Sequence, residues 1–248
     1  MTESFLYEGT ELTLFQNAQR WKSYLRSILA PYIHGHVLEV GAGIGGTTWH
    51  LADLGASWVC LEPDATLAAR IPETLTHHPA LDRVDIHVGT LATLTETARF
   101  DTILYIDVLE HIENDAQEVT EAARHLDSGG HLVVLAPAHP FLFTPFDTQI
   151  GHYRRYNKKS LQALAPPLLR CVAIRYLDSI GLLASLGNRL VLKCSMPTAA
   201  QIALWDRWMV PLSSHLDPKL GNRVGKSVLG VWKLEDQSST VPQDRVSI

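Results

Sequence analysis

A strand that runs directly into four glycines constrains this chain more than any other feature. Residues 36–40, HVLEV, have the apolar character of a strand, and glycines follow at positions 41, 43, 45 and 46. Glycine permits tight turns and a close approach of backbone to a ligand. In open parallel sheets, ligands bind at the carboxyl ends of the strands, where such a turn lies. The segment therefore predicts an α/β sheet with a ligand site at this turn.

Six further strand patterns alternate with helical patterns along the chain. Strands separated by helix-length connections predict βαβ units and a parallel sheet. We predict an α/β fold, Rossmann-like, with a seven-stranded, mostly parallel sheet, helices on both faces and a helical cap. The predicted strands are residues 36–40, 57–63, 84–89, 100–107, 131–137, 171–178 and 227–234. The predicted helices include residues 14–33, 46–55, 64–75 with an interruption at Pro72, and 114–126 ended by the turn DSGG.

The length fits one large α/β domain or two small ones, and we predict a single domain. The chain has 248 residues, of which 46% are hydrophobic, enough to bury a sizeable core. An apolar helical stripe that includes Trp205 and Trp208 places the cap between the last two strands. The predicted order is a helical N-terminal cap at 1–35, a ligand-binding core at 36–178, a helical insertion at 179–226, the last strand at 227–234 and a flexible tail at 235–248.

Charge and cysteine content exclude several classes of protein. The net charge is -5, which argues against a nucleic-acid binder. The three cysteines are far apart and odd in number, as expected for reduced thiols in a cytoplasmic protein. The first residues lack the pattern of a signal peptide, and no uncharged apolar run reaches the about 18 residues that span a bilayer. We therefore expect a cytoplasmic protein without stable membrane insertion, either monomer or homodimer.

The glycines and one acidic residue indicate an adenosine-containing cofactor. Gly41, Gly43 and Gly46 satisfy the G-x-G-x-x-G pattern, and Glu62 ends the second strand about 20 residues later. A carboxylate at that position can accept hydrogen bonds from both hydroxyls of a ribose.

Glu39 distinguishes between two types of adenosine cofactor. A dinucleotide places an anionic pyrophosphate over the glycines, where a nearby carboxylate would repel it. S-adenosyl-L-methionine instead carries a sulfonium and an ammonium group, which Glu39 can stabilise directly or by orienting loop amides. The alternative is that Glu39 pairs with an Arg or Lys of the N-terminal helix.

Four motifs in order resemble those of a known enzyme family. The segments VLEVGAGIGGTT, CLEPD, FDTILYIDVLEHIENDAQEV and SGGHLVVLAPAHP are similar to successive motifs of class I S-adenosylmethionine-dependent methyltransferases. The resemblance covers roughly residues 17 to 180. It is closest to a bacterial small-molecule (type 11/12-like) group in which PAHP is followed by GHYRRY.

The resemblance implies a set of cofactor contacts. The glycine turn would hold the methionine end, Glu62 the ribose, and residues after the third strand the adenine. Thr90 departs from the family, which often carries Asp at that position. Trp21 resembles an aromatic residue that covers the cofactor, although it could equally be a core residue. The full predicted set is Trp21, Glu39, Gly41, Ala42, Gly43, Glu62, Pro63, Thr90, Leu91, Asp107 and Val108.

The candidate catalytic residues follow the fourth and fifth strands. They are His111, His139, His152, Tyr153 and Arg154. A histidine or Tyr153 there could remove a proton from an acceptor, and the guanidinium of Arg154 could bind an acidic group on it. The alternative is structural, with His111 ordering its loop and Arg154 pinning the long loop to acids of the core. No His-x-x-x-His pattern with a helical Glu occurs, so the sequence predicts no metal site.

The predicted activity is methyl transfer from S-adenosyl-L-methionine to a small molecule, with S-adenosyl-L-homocysteine as product. Apolar and basic segments near the site predict an acceptor that is partly hydrophobic and carries an acid group, such as a secondary metabolite. Three alternatives stay open: a nicotinamide-dependent oxidoreductase, a non-catalytic module that keeps the cofactor fold, and an enzyme that methylates protein. No Tyr-x-x-x-Lys pair supports the first of these.

Overall fold

The computed structural model describes residues 15–187 and 198–235, and the described strands form one seven-stranded sheet. The order is β3-β2-β1-β4-β5-β7-β6, with β1 to β5 parallel to one another and β7 antiparallel to both neighbours. The predicted fold class is thus confirmed. The strands are β1 His36–Val40, β2 Ser57–Glu62, β3 Val84–Val88, β4 Phe100–Ile106, β5 Leu126–Pro137, β6 Leu169–Leu177 and β7 Ser227–Leu234.

The strand order reverses at β1, which is the feature that positions the site. β1 pairs with β2 on one side and with β4 on the other. The connections on the two sides of β1 therefore diverge and leave a crevice at its carboxyl end. Gly41, the first residue after β1, lies at this crevice.

Short helices connect the strands. The predicted helix at 64–75 is two helices, because Pro72 lacks the N–H of a helix interior and instead sits in the first turn of the second helix. The helices are α1 Gln19–Leu29, α2 Thr48–Leu51, α3 Ala65–Ala68, α4 Ile71–Thr74, α5 Asp115–Arg124, α6 Pro145–Gln149, α7 Lys158–Gln162, α8 Ser179–Gly187, α9 Ala199–Leu204 and α10 Val210–Lys219. A π-helical segment, Trp205–Met209, joins α9 to α10.

The sheet is covered on both faces, which explains why its strands read as almost continuous apolar runs. Val37 and Leu104 point to the face that α1 and the cap helices cover. Leu38 and Ile103 point to the opposite face, beneath α5. Glu39 lies on the same face as Val37, since side chains of a strand alternate. A buried carboxylate thus enters the core that contacts α1.

The turn predicted after α5 is a bulge inside a strand. Phe100 pairs with Leu126, and Thr102 pairs with His131, so the four residues 127–130 of β5 lie opposite Asp101 alone. The prediction that DSGG separates a helix from a strand starting at residue 131 was therefore wrong. Gly129 has φ +80°, which lets the chain return to the ladder.

Helices also occupy the described part of the segment between β6 and β7. Asp178 anchors them, because its carboxylate accepts from the Trp205 indole at 2.7 Å and from the Ser213 hydroxyl at 2.6 Å. Asp217 accepts the Tyr24 hydroxyl at 2.7 Å and thereby joins α10 to α1. The rest of the predicted insertion, at 188–197, the first 14 residues and the tail beyond residue 235 lie outside the described residues.

None of the helices in the described ranges is long and apolar enough to cross a membrane.

Candidate active site

A cavity of about 910 Å³ opens at the carboxyl ends of β1 and β4, between α1 and the cap. Its walls are mostly apolar and include Trp21, Leu142, Phe146, Ile202 and Trp205. The volume lies within the usual range for small-molecule sites. The cavity also contains charged residues, namely Lys22, Asp107, Glu110, Arg155 and Lys226.

The backbone of residues 41–46, the glycine loop, forms one wall of the cavity. Gly41 has φ +69°, and a Cβ there would lie 2.6 Å from Cγ2 of Val108. The loop is therefore a cradle that only glycine fits at this position. The Gly43 amide donates to Glu62 Oε2 at 2.7 Å, which ties the loop to the end of β2.

Glu62 is held in place by backbone amides on both of its oxygens. Oε1 accepts from the Asp64 amide at 3.0 Å, while Oε2 accepts from Gly43. Burial raises the pKa of Glu62, and these hydrogen bonds oppose that shift. Pro63 and Thr90 are exposed at the same edge of the sheet, whereas Leu91 is buried in the core. The carboxylate is thus preoriented beside the glycine loop, although it does not line the cavity itself.

Glu39 has protein partners, yet neither is a cation. Its Oε2 accepts from the Thr48 hydroxyl at 2.7 Å and from the Trp58 indole at 2.9 Å. Burial raises the pKa of Glu39 to about 7, although Thr48, Trp58 and the Lys22 ammonium favour its ionised form. Lys22 of α1 instead donates to the Gly46 carbonyl at 3.0 Å. Glu39 therefore does not line the cavity, and its hydrogen-bond partners lie on α2 and β2.

The raised pKa of Glu39 predicts a pH-dependent stability. The folded state keeps the proton up to about pH 7, whereas an unfolded carboxyl loses it near pH 4.5. This group's stabilising contribution is therefore complete below pH 4.5 and lost as pH rises through 7. We therefore compare the unfolding free energy of Glu39→Gln with that of wild type. The variant's value minus the wild-type value should rise by up to about 3 kcal/mol from pH 5 to pH 8. Urea unfolding of both proteins at the two pH values measures it.

The matched control is Glu96→Gln, since Glu96 is exposed. The difference in unfolding free energy between this variant and wild type should be the same at both pH values. If the difference in unfolding free energy between Glu39→Gln and wild type also does not change with pH, Glu39 is ionised throughout this range.

Trp21 and Asp107 both line the cavity, Trp21 from α1 and Asp107 from the loop after β4. The Trp21 ring lies 5.7 Å from the Trp205 ring, and its backbone amide donates to Asp206. Trp21 therefore forms part of both the core and the cavity wall, which agrees with either predicted role. Asp107 follows β4 with φ 56°. The Asp107 side chain is exposed to the cavity, and the protein around it raises its pKa to about 6 against the opposing charges of His152 and Lys226.

Glu110, His111 and His152 form a group that we call the histidine cluster. All three side chains line the cavity, and one ligand atom of each lies within 4.8 Å of the others. His152 Nε2 is 3.8 Å from Glu110 Oε1, and the two imidazole rings are 4.5 Å apart in an edge-to-face arrangement. Burial, together with the charge of Asp107, raises the pKa of Glu110 well above its ordinary value.

Asp147 orients His152 through Nδ1, the ring nitrogen that does not face Glu110. Its Oδ1 lies 3.0 Å from His152 Nδ1, and Arg155 binds the same carboxylate with two nitrogens at 2.8 and 3.0 Å. Burial opposes ionisation, but the hydrogen bonds from His152, Arg155 and Thr144 hold the pKa of Asp147 below its ordinary range. His152 is thus fixed with Nε2 toward Glu110.

The structure does not bring the other three candidate catalytic residues to the cavity. Arg154 forms an ion pair with Asp115 at 2.6 Å, which is the structural alternative left open by the sequence. His139 Nε2 lies 2.9 Å from the Gly225 carbonyl. Tyr153 is exposed at the surface.

Sequence reasoning missed two lysines of the cavity, Lys22 and Lys226, and the acid behind His152, Asp147. Lys226 lies 3.4 Å from Asp178, with its Nζ 3.7 Å from the centre of the Trp205 ring. Lys22 and Asp147 carried no motif either. A lysine directly before β7 gives no local signal, because only the antiparallel placement of β7 beside β5 brings it to the cavity.

Sequence comparisons match this chain to known proteins. Residues 38–132 match the family described as "Methyltransferase domain". The chain is 30% identical over 186 residues to "Probable S-adenosylmethionine-dependent methyltransferase" of Mycolicibacterium smegmatis, a match that covers 70% of this chain and 68% of that protein. It is also 31% identical over 86 residues to PF 1022-synthetase of Rosellinia sp., covering 34% of this chain and only 3% of the synthetase.

A solved structure shares the fold over nearly the whole chain. It is the N-methyltransferase NodS from Bradyrhizobium japonicum WM9 in complex with S-adenosyl-l-homocysteine. The TM-score is 0.58 at 14% identity, and the match covers 93% of this chain and 98% of that one. At this identity the likeness is one of fold.

Proposed function

Because the chain belongs to the class I S-adenosylmethionine-dependent methyltransferases, we propose that it methylates a small, partly hydrophobic molecule that carries an acid group. The cofactor, when bound, supplies an activated methyl group for in-line displacement. The protein must therefore align the acceptor, exclude water and, where needed, help remove a proton. The observation that carries the proposal is one cavity that joins the glycine loop to the histidine cluster.

The glycine loop and Glu62 fit the cofactor. A loop whose first glycine admits no Cβ lets the backbone approach the methionine end closely. Glu62 is fixed by two amides and keeps further lone pairs for ribose hydroxyls. We assign the adenine to the edge beside Thr90 and Leu91, and the methionine end to the loop backed by Glu39. Trp21 would close over the bound cofactor from α1.

The acceptor would lie between the apolar wall and the histidine cluster. Phe146 and Trp205 offer apolar surface to its body. Lys226 would offer its ammonium to the acid group, because it lines the cavity beside Trp205 while it pairs with Asp178 at 3.4 Å. The basic segment at 152–159 contributes less to this than its sequence suggests, because Arg154 and Arg155 are engaged by Asp115 and Asp147.

The test measures methyl transfer to matched pairs of apolar hydroxylated compounds, each as a free carboxylic acid and as its amide. Formation of S-adenosyl-L-homocysteine is followed by mass spectrometry. We expect turnover of at least one acid, and a higher KM for its amide. Lys226→Met should remove the preference for the acid while sparing cofactor affinity.

Two outcomes would contradict the proposal. One is methylation of added protein with no turnover of any small molecule. The other is an unchanged melting temperature with S-adenosyl-L-homocysteine alongside a rise with NAD⁺, since a ligand that binds the folded state raises it.

A further inference from the structure

The proposed cofactor contacts do not include the histidine cluster, so its construction calls for another explanation. Glu110 and His111 follow β4, whereas His152 arrives from a loop 41 residues further along the chain. Each contributes one ligand atom to a group no wider than 4.8 Å. Two imidazoles and a carboxylate at this spacing are a donor set suited to transition metals.

Both imidazoles are oriented from outside the cluster. Asp147 lies 3.0 Å from His152 Nδ1, and the backbone of Gly151 hydrogen-bonds to His111. Asp147 is itself fixed by Arg155 and by the Thr144 hydroxyl at 2.8 Å. Histidines that bind metals almost always have such a partner on the second ring nitrogen, because it sets the tautomer and the ring orientation.

Glu110 supplies an independent indication. Its side chain is 1% exposed, and its Oε2 has no hydrogen-bond partner among the described residues. A buried carboxylate oxygen without a donor is costly, and a native structure that keeps one normally has a reason for it. The oxygen that lies 3.8 Å from His152 Nε2 is Oε1, so a cation would have to bind the carboxylate through both oxygens to satisfy Oε2 as well.

We propose that Glu110, His111 and His152 bind one divalent transition-metal ion, with Zn²⁺ as the best fit to the donors. Ligand atoms around a tetrahedral Zn²⁺ lie about 3.4 Å apart. His152 Nε2 and Glu110 Oε1 are 3.8 Å apart, so small side-chain movements complete the site. Three protein ligands leave a position open to the cavity, as in catalytic rather than structural zinc sites.

The role of the metal rests on the proposed function. The acceptor hydroxyl would bind at the open position, where the ion lowers its pKa and its proton passes to solvent. The resulting oxygen anion forms a bond to the methyl carbon as the sulfur–carbon bond of S-adenosyl-L-methionine breaks. The bonding electrons remain on sulfur, and S-adenosyl-L-homocysteine leaves.

The test uses the full chain, freed of metal with a chelator and titrated with Co²⁺ as a spectroscopic probe. We expect a visible ligand-field band that saturates at one equivalent and disappears when Zn²⁺ is added. Glu110→Gln and His152→Gln should each weaken Co²⁺ binding by about 100-fold or more, and Asp147→Asn by about 10- to 100-fold. His215→Gln, at an exposed histidine on α10, should bind as wild type does.

Calorimetry with S-adenosyl-L-homocysteine separates the possible failures. All variants should bind it normally, which also shows that they are folded. A wild-type protein without a Co²⁺ band, or variants with an undiminished band, overturns the metal site. A normal band without methyl transfer to any small molecule overturns the proposed function and leaves the metal site standing.

Discussion

Glu62→Gln is expected to weaken binding of S-adenosyl-L-homocysteine by about 10- to 100-fold. A hydrogen bond to a charged group contributes about 1.5–3 kcal/mol, and the variant loses the charge that would accept from the ribose hydroxyls. In the wild type, one carboxylate oxygen accepts from the Gly43 amide and the other from the Asp64 amide. Glutamine replaces one of these oxygens with an NH₂ group, which cannot accept from the amide that it faces. Titration calorimetry at matched protein concentrations measures the loss.

The control is Glu73→Gln, because Glu73 is an exposed acid on α4. It should bind the ligand as wild type does. A folded Glu62→Gln protein with unchanged affinity would show that Glu62 only ties the glycine loop to β2. Urea unfolding of the variant separates this from a general loss of structure.

Asp178→Ala is expected to lower the unfolding free energy by about 3–5 kcal/mol, the usual cost of leaving one partner of a buried ion pair without the other. Asp178 is fully buried and accepts from Trp205, Ser213 and the Gly181 amide, while Lys226 lies 3.4 Å away. The substitution removes all of these contacts. Chemical denaturation followed by tryptophan fluorescence and circular dichroism measures the change.

Two comparison variants sharpen this result. Asp178→Asn keeps an acceptor oxygen and tolerates the φ of 64°, so it should lose less stability than the alanine variant. Asp82→Ala, at an exposed position, should change stability by less than about 0.5 kcal/mol. A loss below about 1 kcal/mol for Asp178→Ala would mean that solvent enters and replaces the carboxylate.

The sheet and the glycine loop could be predicted because their signals are local. The run from Val37 to Gly46 combines strand, turn and helix start within ten residues, and Glu62 follows at a spacing that one βαβ unit dictates. The bulge at 127–130 could not be predicted, since it depends on how β5 pairs with β4. Asp-Ser-Gly-Gly is equally compatible with a turn outside a strand.

The histidine cluster and the partners of Glu39 required the folded chain. His111 and His152 lie 41 residues apart, and no periodic pattern links them. Trp58 reaches Glu39 because β1 and β2 are neighbours with Glu39 opposite Cys60. Strand order and register determine such contacts, and neither is written in the spacing of the residues involved. The same reasoning explains why Arg154 was a better candidate in the sequence than in the structure.

The position of β7 also has a consequence for how the protein is made. β6 pairs with β7 within the sheet, while β7 itself lies between β6 and β5. During synthesis, β6 and the cap helices leave the ribosome before the strand on which β6 assembles. The edge of β5 stays open until then, which exposes hydrogen-bonding groups to other chains. Because about 90 residues separate β5 from β7, we expect this last pairing to form slowly.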